Sequence, residues 1–161
     1  MKKTLFAIIL LFIVTLNSTA QNTLVDNQAI HRLKEFYTIY NKTFYNNFKK
    51  IDFMLLQTKL DLVRKKYCTK KLYNDLRLNN LKGEDVEHDF IVSDLYTDSI
   101  RIKTLTVVKS KVEMNNYIVS YMAPVEVGKI KELKAVFNIG MVKEDGVYKI
   151  STLADNTKYP W

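Results

Sequence analysis

Two histidines, a single cysteine and a run of carboxylates are the residues of this chain whose types could support chemistry. His88 sits in GEDVEHDFIVSD, with Asp85, Glu87, Asp89 and Asp94 close by. A carboxylate beside an imidazole tunes its titration near neutral pH, so His88 with Asp89 or Asp94 is a candidate acid/base pair. The same residues read as a polar loop running into a short strand that Asp94 ends. Metal ligation by His88, Asp89 and Asp94 lacks a suitably placed second histidine, so no metal is expected. His31 lies beside Ile30, off the apolar stripe, and is expected in solvent. Cys68 cannot form an internal disulfide. It follows Tyr67, and its nearest histidine is twenty residues away; without an activating neighbour it reads as a buried inert thiol. The four glycines, Gly83, Gly128, Gly140 and Gly146, are scattered and form no phosphate loop. No nucleophile elbow, paired-cysteine or zincin motif is present, so neither a cofactor nor a recognisable catalytic set is expected.

Binding chemistry has three further candidates. Tyr37, Tyr40 and Phe44 can face Tyr117, Tyr121 and Phe137 across a sheet. They would line an apolar pocket with phenol hydroxyls for orientation, or simply fill the core. Between Lys59 and Arg77 the chain carries Lys59, Arg64, Lys65, Lys66, Lys70, Lys71 and Arg77 against Asp61 and Asp75. Lys66, Lys70 and Lys71 are candidates for contact with an anionic partner; a solvated basic face is the plainer reading. Asp98-Ser99-Ile100 resembles the acceptor site of periplasmic O-glycosylation in Bacteroidetes, which makes Ser99 a candidate for a glycan on an exposed turn.

The first twenty residues set the compartment. Lys2 and Lys3 form a basic start, Leu5–Leu16 is an apolar run, and Ser18 and Ala20 are the small residues of a cleavage site. The run is shorter than the roughly 20 residues a membrane span needs. Residues 1–20 therefore read as a signal peptide, with a periplasmic or secreted product starting at Gln21 and no transmembrane segment after cleavage. The full chain carries a formal charge of +8, which loss of Lys2 and Lys3 reduces by two. A basic exported protein suits an acidic or anionic envelope partner and makes nucleic acid a poor choice. An envelope protein or a small apolar ligand is the expected partner.

Helices must position these groups first. Ile30, Leu33, Tyr37, Tyr40 and Phe44 follow helical spacing, with Asp26 or Asn27 as cap after a loose Gln21–Asp26 and with Asn46-Asn47 as the end. A second helix runs from about Phe53 through Leu56, Leu60, Val63 and Tyr67, capped by Asp52. Thr69 caps a third, carrying Leu72, Tyr73 and Leu76. Strands follow: a short Phe90–Val92 run, Ile100–Ser110, Tyr117–Ala123 after a turn at Asn115-Asn116, and a closing hairpin across Leu133–Leu153. Asp145-Gly146 selects a two-residue turn, pairing Lys143 with Tyr148, Met141 with Ile150 and Ile139 with Thr152. Helices followed by consecutive antiparallel strands predict an α+β fold, with N-terminal helices on a curved antiparallel sheet of about four strands. It forms one domain over residues 21–161, with a core of about 27–153.

The FYTIY first helix, YCTKKLYNDL, DFIVSDL and the closing VKEDGVYKI together resemble the bacterial family called domain of unknown function 3828. The resemblance covers about Ile30–Leu153. It implies the cone of nuclear transport factor 2 and ketosteroid isomerase, a curved sheet wrapped round a long first helix with a cavity between them. The family brings no chemistry, and a fold shared with an isomerase is not an activity shared with it. Because the sequence holds no recognisable catalytic set, a non-catalytic binding or interaction domain of the periplasm is expected. A small cone enzyme, hydrolase or isomerase, working through His88 with Asp89 or Asp94, is the alternative.

Overall fold

Two long strands, β2 (Asn116–Val127) and β3 (Ile130–Glu144), form the ladder on which the rest is built. Tyr117 lies opposite Ile139, Val119 opposite Phe137 and Tyr121 opposite Ala135. Alternation therefore gives both strands one apolar face, and all six of these side chains are buried. The computed structural model describes residues 2–47, 53–81, 91, 99–127 and 130–158, with 2–24 as backbone only. β1 (Thr106–Lys109) and β4 (Val147–Asp155) flank the ladder, giving an antiparallel sheet in the order β1-β2-β3-β4. Helices α1 (Lys2–Asn47), α2 (Phe53–Tyr67) and α3 (Lys70–Leu81) precede it, with a short α4 (Ser99–Lys103) before β1. The fold is α+β. Among the described residues no helix is long and apolar enough to cross a membrane.

The first helix does not begin where a loose Gln21–Asp26 would place it. α1 runs unbroken through that stretch, since no glycine or proline interrupts residues 2–47. Asp26 is therefore no cap. Its carboxylate accepts from Lys109 Nζ at 2.7 Å and from the Tyr117 hydroxyl at 3.1 Å, tying α1 to the sheet. The buried stripe is Ala29, Leu33, Phe36, Tyr37, Tyr40 and Phe44, with Ile30 only half-buried. α1 is described as far as Asn47, and the residues that directly follow it lie outside the described residues.

α2 and α3 form where spacing places them; the Asp52 cap expected for α2 lies outside the described residues. Thr69 Oγ1 accepts from the Leu72 N–H at 3.2 Å, the N-cap bond that satisfies an orphan donor. The chain also touches the sheet here: Cys68 bridges Ile150, and Thr69 N donates to the Ile150 carbonyl at 2.8 Å.

Residues 100–110 do not form one strand. Ser99–Lys103 is helical, and Thr104 closes the turn with its N–H and hydroxyl both donating to the Ile100 carbonyl, at 2.9 and 2.7 Å. The same hydroxyl accepts from Met122 N at 2.9 Å. The turn buries Arg101 completely, with its guanidinium 5.6 Å from the Tyr121 ring centre. A β-branched run states a preference that such tertiary contacts override. β2, in turn, extends past Pro124, which breaks no ladder bond because β1 pairs only as far as Ser120. The register shifts between Pro124 and Val127. The expected Phe90–Val92 strand lies outside the described residues, apart from Ile91, which is buried.

The closing hairpin keeps Lys143 opposite Tyr148 and Met141 opposite Ile150. Beyond that pair the register slips at a bulge between Gly140 and Met141, so Ile139 faces Leu153 rather than Thr152. A one-residue slip exchanges faces: Leu153 turns toward the core and Thr152 toward solvent.

Candidate functional site

The aromatic set divides rather than lining one cavity. Tyr37, Tyr121 and Phe137 are brought together, with ring centres 6.3, 6.1 and 5.8 Å apart, and each is at most 1% exposed. These separations fall within the range of favourable aromatic pairs. Tyr40 turns elsewhere: its hydroxyl accepts from Arg64 at 2.5 Å. Tyr117 points its hydroxyl at Asp26, and burial together with that carboxylate pushes its pKa up. Phe44 is buried at the far end of the stripe. Sequence spacing groups these six correctly as inward-facing; it does not reveal that their hydroxyls serve different partners.

Cys68 is buried, and burial pushes its thiol up to about 12, with Arg64 and Lys149 acting weakly the other way. A thiol so placed is no thiolate at neutral pH. His31 is exposed. His88, Asp89 and Asp94 lie outside the described residues. Ser99 begins α4 and is half-buried rather than on an open turn. Among the described residues no three of His, Cys, Asp or Glu converge as metal ligands.

Exposed charge gathers at the corner between α2 and α3. The break at Thr69 prevents Lys66 and Lys70 from sharing one helical face, yet Lys66, Lys70 and Lys71 all remain exposed within that corner. Lys66 Nζ stands 4.9 Å from the Tyr67 ring centre and 3.8 Å from Glu35, with its side chain 58% exposed. Arg32 lies over the same ring at 4.1 Å and pairs with Glu35 at 3.0 Å. The Tyr67 hydroxyl, then Arg32 and Lys66, hold the Glu35 carboxyl below the usual range against its partial burial. Lys149 of β4 donates to the Lys66 carbonyl at 2.5 Å, capping the end of α2 with positive charge. Glu144, at the tip of the β3–β4 hairpin, accepts from Lys70 N at 3.4 Å. It brings negative charge to a helix start where two lysines oppose the dipole.

Arg32, Glu35, Glu144 and Lys149 escape sequence reasoning because their partners are distant in the chain or on another element. Arg64 left a signal: it follows Leu56 and Leu60 at four-residue spacing, and it, rather than the half-buried Val63, is buried in that stripe.

No family model matches the chain, and no curated protein matches it. The fold is similar to that of a protein of unknown function from Bacteroides thetaiotaomicron, known from a crystal structure, with a TM-score of 0.70 at 20% identity over 87% of this chain and 98% of that one. That likeness establishes the architecture and carries no activity with it.

Proposed function

We propose that the chain is an exported, non-catalytic interaction domain that meets an anionic partner of the cell envelope through the basic corner between α2 and α3. The observation that carries this reading is the exposure of Lys66, Lys70 and Lys71 on a corner whose backbone is pinned by Thr69, Glu144 and Lys149. A fixed scaffold presenting exposed charges suits recognition by charge complementarity. The ring contacts of Tyr37, Tyr121 and Phe137 occupy the interior that an apolar ligand would need, which favours the outer surface over a cone pocket. Export rests on the basic, apolar and small-residue order of residues 1–20. The helices-then-sheet order and the long α1 support a place in the domain of unknown function 3828 family, with its nuclear transport factor 2-like cone.

The test is retention on immobilised polyglutamate, followed by affinity capture from envelope extract. Retention is expected to fall steeply with salt, because exposed charges are screened over about 8 Å at physiological ionic strength. Reversing Lys66, Lys70 and Lys71 to Glu should abolish both retention and capture while leaving the melting midpoint nearly unchanged. Equal retention of the triple variant at the same salt overturns the reading.

A further inference from the structure

The basic corner does not stand alone; three other features gather at the same end of the molecule. The β1–β2 loop and the β3–β4 turn lie at the same end of the sheet, where Met141 N of β3, four residues before Asp145, donates to the Asn115 carbonyl of the β1–β2 loop at 2.9 Å. The β1–β2 loop carries Val112 and Met114 at 92% and 86% exposure, beside Lys111. Such protruding aliphatic side chains have no packing role in the domain that shows them. The loop itself is held in shape: Ser110 Oγ accepts from the N–H groups of Val112 and Glu113, Asn116 bonds to Glu113, and Asn115 takes a φ of 60°. The β3–β4 turn adds Val147, 44% exposed, and its Glu144 is the residue that holds Lys70. The lysine corner and both hairpin tips therefore belong to one surface.

α1 enters the domain at this end as well. Asp26 grips Lys109 and Tyr117 at the root of the β1–β2 loop. Upstream of Asp26 the helix continues toward Lys2 through the apolar Leu5–Leu16. Gln21 precedes Asp26 by about 8 Å of helix, so the amino terminus expected after cleavage lies at the end that carries the two hairpin tips.

We propose that this end docks on an anionic lipid bilayer, with Val112 and Met114 entering the interface and Lys66, Lys70 and Lys71 meeting the headgroups. Apolar side chains inserted beside lysines are the chemistry that binds a protein to the plane of an anionic membrane. The inference rests on the reading of the lysine corner given above and names its partner.

The test uses the chain from Gln21, the exported product expected above, with a solvent-sensitive fluorophore on Met114→Cys, and separately on Lys42→Cys. Lys42 is exposed about 24 Å of helix beyond Asp26. Cys68 does not compete for label, being buried with its thiol at about 12. On phosphatidylglycerol vesicles the Met114→Cys label should shift to shorter wavelength and brighten several-fold, while the Lys42→Cys label stays aqueous. On phosphatidylcholine vesicles the shift at position 114 should be weaker. V112D with label at 114 should lose the shift yet keep full retention on polyglutamate. A label at 114 that stays aqueous on bound protein, or one that shifts equally at 42, overturns the bilayer proposal even when polyglutamate retention is intact. Loss of salt-sensitive polyglutamate retention in the parent chain overturns the basic-corner reading itself.

Discussion

Asp145 and Gly146 take φ values of 54° and 77°, the pair of left-handed residues that a two-residue hairpin turn requires. Nothing lies within 4 Å of a Cβ placed on Gly146, so the demand there is purely conformational. Gly146→Val is expected to cost about 1–3 kcal/mol, read as a lowered midpoint in denaturant; an unchanged midpoint would contradict the turn geometry. Gly140 has the opposite reason for being glycine. A Cβ there would sit 2.3 Å from Thr152 Oγ1, 3.0 Å from Asn116 Oδ1 and 3.2 Å from Ser151 Oγ. Gly140→Ala should therefore destabilise by about 1–3 kcal/mol, and adding Thr152→Ala should restore part of the loss, a coupling that a double-mutant cycle measures. Cys68 gives a pH dependence. Its folded pKa, about 12, exceeds the ordinary 9.0. The folded state thus favours the neutral thiol, and that contribution is complete below about pH 9 and lost as pH rises toward 12. Melting midpoints should fall less steeply above pH 9 in Cys68→Ala than in the parent chain; parallel slopes would show that the thiol is not the source.

At the scale of elements, the start of α3 is held by two groups of different origin, Thr69 from the local chain and Glu144 from the β3–β4 turn. Thr69→Ala should cost about 1 kcal/mol. Glu144→Gln should cost less, since its bond is longer and exposed, and hydrogen exchange at Leu72 and Tyr73 should accelerate in the first variant. Thr69 was legible because a cap acts within one turn of its own residue. The pairing of Met141 with Ile150 was legible because turn chemistry sets the register close to the turn. The bulge beyond it was not, because nothing local to Gly140 states that Thr152 will crowd it. Ile100–Ser110 misleads for the same reason: its β-branched residues speak for a strand, while burial of Arg101 under Tyr121 and the bond from Met122 N to Thr104 decide for a helical turn. The basic corner was half legible. Its lysines and the break at Thr69 stand in the sequence, but the Glu144 and Lys149 contacts that pin the corner come from the far end of the chain.

At the scale of the whole molecule, the reading of export predicts processing after Ala20. The exported protein should begin at Gln21, with Asp26 early in the shortened α1; an intact mass that retains residues 1–20 would contradict it. The contact of Asp26 with Lys109 and Tyr117 then has a kinetic meaning. It joins residues 83 and 91 positions apart, and the aromatic face of α1 likewise waits for β2 and β3. Contacts of such sequence separation form late, because loop closure precedes any gain from them. While the chain emerges amino-terminus first, α1 has no sheet to lie on. Its helical turns are then only marginally stable and open readily. On the export reading, the scissile region is thus accessible during translocation, and the aromatic face of α1 docks only after β2 and β3 arrive. If the chain is exported as read, the order of its elements acts as a timer: cleavage has the whole interval between α1 and β3 in which to occur, and closure of the domain ends it.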